Sequence, residues 1–183
     1  GDYLVLGNPF TNGETCKTVL SNIAELAGGF ARIGNNDHLY IKRLMVNDEP
    51  LELLDGNNYT EFKKNNMFGA VNSLKIQMNS GVDGEENVEE IVGLPDEYRC
   101  QIIITNNYFL INEIERKKVI KKIAQALNGL TYLPFETSYY GYPWLEVGDK
   151  IKVLDVEDTE YNTYVLQHTI RYDGSFSGTM KTT

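Results

Sequence analysis

The sequence is poor in the residues on which catalysis and metal binding draw. It has 2 histidines, 2 cysteines and 1 tryptophan among 183 residues. Two thiols make neither a disulfide framework nor a four-ligand zinc site. Cys16 and Cys100 each sit among apolar neighbours, which predicts buried free thiols. No apolar run approaches the roughly 20 residues that a membrane span needs. Residues 1–10, GDYLVLGNPF, lack the basic start and long apolar centre of a secretory signal. The chain also begins without Met, which points to an internal piece of a longer protein; a processed chain would look the same. Bases are outnumbered too, 17 Lys and Arg against 26 Asp and Glu, for a net charge of -9 and a pI of about 4.7. Such a surface repels nucleic-acid phosphates and anionic lipid, so specific nucleic-acid binding and membrane insertion are not expected. An acidic surface could still line a passage to which DNA does not stick.

What is present reads as an ordinary globular chain, with 42% hydrophobic and 23% charged residues. The length suits one domain or two small subdomains. Thr11-Asn-Gly-Glu14 has the form of a capping box, and behind it Cys16, Val19, Leu20, Ile23, Ala24 and Ala27 recur at helical spacing. Gly28-Gly29 supplies the stop. Phe30–Ile33 and Leu39–Leu44 then alternate as strands about a Gly34-Asn-Asn-Asp37 turn. Residues 45–58, with Pro50 and Gly56, form a connection. A strand-like region runs from Tyr59 to about Asn79, broken at Asn65-Asn66. Residues 83–97, DGEENVEEIVGLPDE, are rich in acids without a base. They fit a solvated loop or edge strand and lack the ligand spacing of a helix-loop-helix calcium site. Residues 98–105 read as a buried strand. Asn112 caps a second helix whose stripe is Ile120, Ile123, Ala124 and Leu127. Its bases, Arg116, Lys117, Lys118, Lys121 and Lys122, read as solvated or paired with acids. From Tyr164 to Tyr172 one strand is expected, with a return from Phe176 to Met180 after an Asp173-Gly174 turn.

No constellation of chemical groups emerges. His38 follows a turn, and His168 stands among aromatic and aliphatic residues on its strand face. Neither falls in a zinc-binding pattern, and neither Cys lies in a nucleophile context. Glu85-Glu86 and Glu89-Glu90 belong to the acidic run. No Gly-rich phosphate loop is present. No residue is therefore assigned as catalytic or as a metal ligand, no binding residue is identified, and no cofactor is expected. One cluster stands out: Tyr132, Phe135, Tyr139, Tyr140, Tyr142 and Trp144. It could serve as core and subunit interface or as a platform for sugars or peptides. In GYPWLEVGDKIKVLD, Pro143 fits the entry to a strand and Gly148-Asp149 a bend between two strand pieces.

The order of these elements resembles the tail-associated baseplate hub proteins of long-tailed phages, the prophage tail endopeptidase-like family. Residues 11–44 resemble one segment. Ile102–Leu110, the Glu115–Leu127 helix and Tyr132-Leu-Pro-Phe-Glu136 look like the middle. Pro143–Val153 and His168–Gly178 look like the closing barrel. The resemblance implies an α+β fold, a small β-barrel with an interposed helix and β-hairpin subdomain. The expected division is 1–58 plus 108–140 for the α/β part and 59–107 plus 141–183 for the barrel. It implies a structural protein of the virion tail: a tail-tip hub forming a ring that caps the tail tube and joins the distal tail. Partners would be other copies of itself, a trimer in the full-length protein, with distal tail, tail tube and tape-measure proteins. No peptidase motif occurs in this segment, so the chain is not expected to be an enzyme. Two other readings stay open: a carbohydrate- or cell-surface-binding module using the 132–144 aromatics, and a cell-wall endopeptidase.

Overall fold

The computed structural model describes residues 13–45, 47–78, 88–93 and 100–182. In chain order the elements are α1 (Cys16–Leu26), β1 (Phe30–Ile33), β2 (Leu39–Lys42), β3 (Leu53–Leu54), β4 (Tyr59–Lys64), β5 (Val71–Met78), β6 (Val88–Gly93) and β7 (Cys100–Thr105). A 3-10 turn at Tyr108–Leu110 leads into α2 (Glu113–Leu127). Then come β8 (Phe135–Tyr139), β9 (Lys150–Leu154), β10 (Glu160–Tyr164), β11 (Gln167–Tyr172) and β12 (Phe176–Lys181). The fold is mixed α+β, mostly sheet with two helices. It gathers into two compact units. Of the described residues, the first takes those within 13–31, 41–43 and 71–128, and the second those within 32–40, 44–70 and 129–182. The expected division differs from this one: 59–70 group with 129–183, and 71–107 group with α1 and α2.

In the first unit β5 is central, antiparallel to β6 and parallel to β7. Helix α2 packs on β5. Leu74 and Ile76 of the strand are sealed with Ile120 and Ile123 of the helix, which confirms the apolar stripe. Asn112 caps α2 as expected, its Oδ1 accepting from the Ile114 amide at 3.0 Å. Helix α1 starts later than the sequence indicates. Gly13 has φ of +78°, a left-handed conformation that a helix interior cannot hold, so Glu14 cannot close a capping box. Thr15 caps instead, its Oγ1 accepting from the Thr18 amide at 3.2 Å; Thr11 lies outside the described residues. The helix ends as read. Gly28, at φ of +69°, donates to Glu25 O and Gly29 to Ala24 O, the paired bonds of a Schellman cap. A side chain at Gly29 would meet Lys42 O at 2.3 Å, so only glycine fits there. The face α1 buries is Asn22 and Ala24, while Ile23 is exposed. Strand β7 is an edge strand. Ile104 is buried, but Ile103 is 52% exposed, so of the expected buried strand at 98–105 the described part, Cys100–Thr105, is not buried through its length; 98 and 99 lie outside the described residues.

The second unit holds two sheets, β10-β9-β3 and β11-β12-β8-β4. They share one core: Leu54, Ile151 and Val153 from the first, Phe135, Tyr139 and Met180 from the second, with Leu145 and Val165 between. The expected single strand from Tyr164 to Tyr172 is two. The chain leaves β10 at Tyr164 and enters β11 at Gln167, passing from one sheet to the other through Val165-Leu166. Tyr164 and Val165 are both buried, so the alternation breaks at this corner. The ladders do not close into a barrel. Strand β3 has two residues, followed by a turn in which Asp55–Asn58 folds back on itself, and among the described strands it pairs with β9 alone. Gly178 of β12 leaves room for both neighbouring strands: a Cβ there would come 2.9 Å from Thr169 O of β11 and 3.0 Å from the Tyr139 ring of β8.

Phe135, with no exposed surface, has aromatic contact with Phe62 at 5.6 Å between centroids. Truncating Phe135→Ala should cost about 3–5 kcal/mol, against about 0.5 kcal/mol or less for the exposed Ile103→Ala. Urea unfolding of the two variants measures both.

Candidate functional site

His168 is the chemically richest side chain that the second unit brings inward. Strand β11 pairs His168 with Met180 of β12, on the face that Tyr139 of β8 also presents. The ring stacks on Tyr139, with centroids 5.9 Å apart. Its Nδ1 faces Leu145 O at 3.1 Å. A carbonyl only accepts, so Nδ1 carries the proton and Nε2 accepts from the Tyr139 hydroxyl. Both nitrogens are thereby bonded within the fold. Burial pushes the His168 pKa below its ordinary value, outweighing the Leu145 carbonyl and Asp149, and burial likewise raises Tyr139. A neutral, doubly bonded imidazole holds a strand in place; it does not present a free base or ligand.

Beside His168 lies a hollow of about 340 Å³ whose walls include Arg32, Asn35, Pro143, Glu146 and Ile170. Arg32 Nη2 pairs with Glu146 Oε2, and the Asn35 amide donates to Glu146 Oε1 at 2.7 Å. Arg32 Nε is buried and has no hydrogen-bond partner. The sequence signals the first half of this arrangement, a lone base inside the apolar strand Phe-Ala-Arg-Ile. Its partner 114 residues away carries no local mark.

The aromatic cluster divides. Phe135 and Tyr139 are core. Tyr132 pairs with Phe68 through two backbone bonds and ring contact at 4.9 Å. Tyr142 stacks on Trp144, at 5.0 Å, and meets Tyr139 edge-on, at 5.7 Å. Trp144 is 56% exposed, its indole N–H donating to Glu52 at 2.8 Å, and Tyr140 is 58% exposed. The segment carrying them is a double turn rather than a strand piece. Glu146 N–H donates to Asp149 Oδ2, Asp149 N–H to Glu146 O, and Gly148 has φ of +93°. The strand begins at Lys150.

Asp155, at the end of β9, is the most perturbed carboxyl. Its Oδ2 takes Lys64 Nζ of β4 at 2.5 Å, and its Oδ1 accepts the amides of Glu157 and Thr159. These bonds, Lys64 first, bring its pKa down to about 2. The other sequence candidates stand apart from any site. His38 Nδ1 lies 2.8 Å from Asn36 O in its own turn. Cys16 is exposed and Cys100 half-buried, because Cys16 opens α1 on its outer side and Cys100 starts an edge strand. Arg116 is buried, unlike the solvated base expected, and donates to Leu110 O and Ile111 O at 3.0 Å each. Lys117 pairs with Glu113 one turn back. Of the acidic run, 83–87 and 94–97 lie outside the described residues, and 88–93 form β6. Among the described residues no three His, Cys, Asp or Glu side chains stand together as a metal set would.

No family model and no curated protein matches the sequence. Solved structures do. The fold is shared with a tail protein. That protein, from Neisseria meningitidis, superposes with a TM-score of 0.53 over 94% of this chain, at 14% identity. The 43 kDa tail protein of prophage MuSo2 from Shewanella oneidensis covers 92% of the chain at 17% identity, with a TM-score of 0.49. The phage P2 baseplate in its activated conformation follows at 0.28 and 10% identity over 90% of the chain. The chain spans 56% and 54% of the first two proteins. At such identities the likeness is one of fold, and it extends through both units described above.

Two acid-sensitive windows follow from the site. The folded pKa of Asp155 lies at about 2 against an ordinary carboxyl value of 3.8, so its stabilisation is complete above 3.8 and disappears as pH falls from there toward 2. His168, lowered from 6.5, stabilises fully above 6.5 and loses its contribution as pH falls below it. Melting temperature measured against pH should show both declines. Asp155→Asn should flatten the lower one and His168→Gln the upper.

Proposed function

We propose that the chain is a structural component of a phage or prophage tail tip: part of a baseplate hub, forming a ring that caps the tail tube and joins it to the distal tail. The fold likeness to the Neisseria tail protein, spread over 94% of the chain, carries this reading. The chemistry of the described residues supports it. Inward polar groups such as His168, Asp155, Arg116 and Asn107 are committed to bonds within their own unit. In this reading the two sheets of the second unit are the wall of a small split barrel, and copies meet through a cyclic, three-fold arrangement. The partners are other copies, the distal tail, tail tube and tape-measure proteins, and the location is the virion tail. The chain spans about half the length of these structural neighbours, so the ring and its partners are proposals.

A second reading draws on Tyr140 and Trp144, whose exposure suits a carbohydrate- or cell-surface-binding module. The peptidase reading gains nothing from His168, whose two nitrogens are engaged. In the tail reading the chain is not itself an enzyme.

Deleting the corresponding gene segment from a phage or inducible prophage should yield particles whose tubes lack a closed tip. Electron microscopy of wild-type particles should show the protein's density as a ring between tube and distal tail. Complete, infectious tails in the deletion strain would contradict the proposal.

A further inference from the structure

The turn that carries Trp144 holds one aromatic face toward solvent. Leu145 N–H donates to Tyr142 O at 3.1 Å, which closes a turn with Pro143 and Trp144 at its centre. Leu145 is itself part of the buried core of the second unit, so the turn is anchored. Tyr142 stacks on the indole at 5.0 Å between centroids and covers one of its faces. At 56% exposure, Trp144 leaves the opposite face open. The indole edge is committed, its N–H donating to Glu52 Oε1 at 2.8 Å. Glu52 has no cationic partner among the described residues, and its Oε2 makes no hydrogen bond. Among the described residues Arg32 Nε is the one buried side-chain atom left unbonded, so Glu52 Oε2 lies open to water. Asp55 adds a second carboxylate nearby: burial first, then Glu52 and Asp55, raise the pKa of the Tyr142 hydroxyl. What the patch offers is a π face and an accepting, uncompensated carboxylate. Its indole N–H is already taken.

We propose that this turn docks an arginine side chain of a partner protein, the guanidinium lying flat on the open indole face and donating to Glu52 Oε2 at its rim. Three properties single out arginine. A cation is attracted to the face of an indole, and a carboxylate on the indole N–H polarises the ring in the favourable sense. The guanidinium is planar and weakly hydrated, so it stacks on an aromatic ring where a compact ammonium does not. Its five N–H groups leave donors for Oε2 while the plane is stacked; a quaternary ammonium has none. A neutral sugar would also stack, but it would leave the Glu52 charge unmatched. The net charge of -9 draws a basic partner from a distance. Because Pro143 and the anchored Leu145 set the turn beforehand, binding has little ordering to do. The inference goes beyond the tail-tip reading and does not rest on it, since it concerns what this turn grips and not the ring the protein joins.

Trp144 is the chain's only tryptophan, so its emission and its single indole N–H resonance report on the turn without a label. The probes are acetyl-Gly-Arg-Gly-amide, its citrulline counterpart, which keeps the shape and lacks the charge, its lysine counterpart, and cellobiose as the sugar. Titrated into the whole chain at low salt, the arginine peptide should give a saturable change with a dissociation constant of about 1–10 mM, as suits one side chain making few contacts. The citrulline and lysine peptides should bind at least roughly 5-fold more weakly. Cellobiose should leave the indole resonance unmoved. Glu52→Gln keeps an acceptor for the indole N–H and removes the charge, and should weaken the arginine peptide roughly 5-fold. Trp144→Ala, followed by amide NMR, should abolish the shifts at residues 52 and 142–146; the conservative Glu52→Gln keeps the test open if that variant unfolds. No saturable response to the arginine peptide up to about 50 mM would overturn the proposal. So would a citrulline or lysine peptide that binds equally well, a Glu52→Gln variant that binds as before, or a response to cellobiose.

Discussion

The second unit depends on joining two sheets at an edge where no ladder joins them. On one side the polypeptide does this itself, since β10 runs into β11 through Val165-Leu166. On the other, β3 is too short to bond to β4. Side chains span the gap. Lys64 of β4 reaches Asp155 after β9 at 2.5 Å, and Tyr59 at the head of β4 donates to Leu154 O at 3.1 Å. Asp155 is 3% exposed, so its charge is held by an ammonium and two amides rather than by water. Lys64 keeps 40% of its side chain in solvent, so the half of the pair that cannot lose its partner cheaply is the covered Asp155 carboxylate. The two sheets on either side of this seam share the core of Leu54, Phe135, Ile151, Val153 and Met180.

The same economy recurs wherever a polar group is buried. Thr163 and Thr182, both fully covered, donate to Leu133 O, and Thr182 also accepts the Phe135 amide at 2.6 Å. In the first unit Asn107 donates to Asn22 O and Glu25, while its own oxygen takes the Phe109 amide. Asn22 returns the favour to the Tyr108 amide. Arg116 closes the carbonyls at the end of the 3-10 turn. Groups that could have been chemical are thus spent on geometry. Arg32 Nε is the departure from that pattern.

Periodic, locally punctuated elements were legible in the sequence. The α2 stripe, its Asn112 cap, the Gly28-Gly29 stop and the Asp173-Gly174 hairpin are set by residues within a few positions of one another. What escaped depended on distant partners or on a single backbone angle. The start of α1 turns on Gly13, whose positive φ no spacing rule reveals. The corner at Val165 looks like unbroken alternation until two sheets compete for it. Arg116 reads as one of five bases until its neighbours Leu110 and Ile111 fold back beneath it. The hollow beside His168 draws on three segments, 32–35, 143–147 and 168–170, and only the order of packing brings them together. The aromatic cluster was visible as composition, but its division into core and surface was not, because turn residues 140–149 do not alternate.

The central claim is that the inward polar groups serve shape, and His168 is where it is most exposed to failure. Nitrogen-15 NMR of its imidazole reads both the tautomer and the titration. The account predicts a proton on Nδ1, an accepting Nε2, and titration below pH 6.5. A proton on Nε2, or a titration at or above the ordinary histidine value, would mean a ring free to act on something else, and would contradict it.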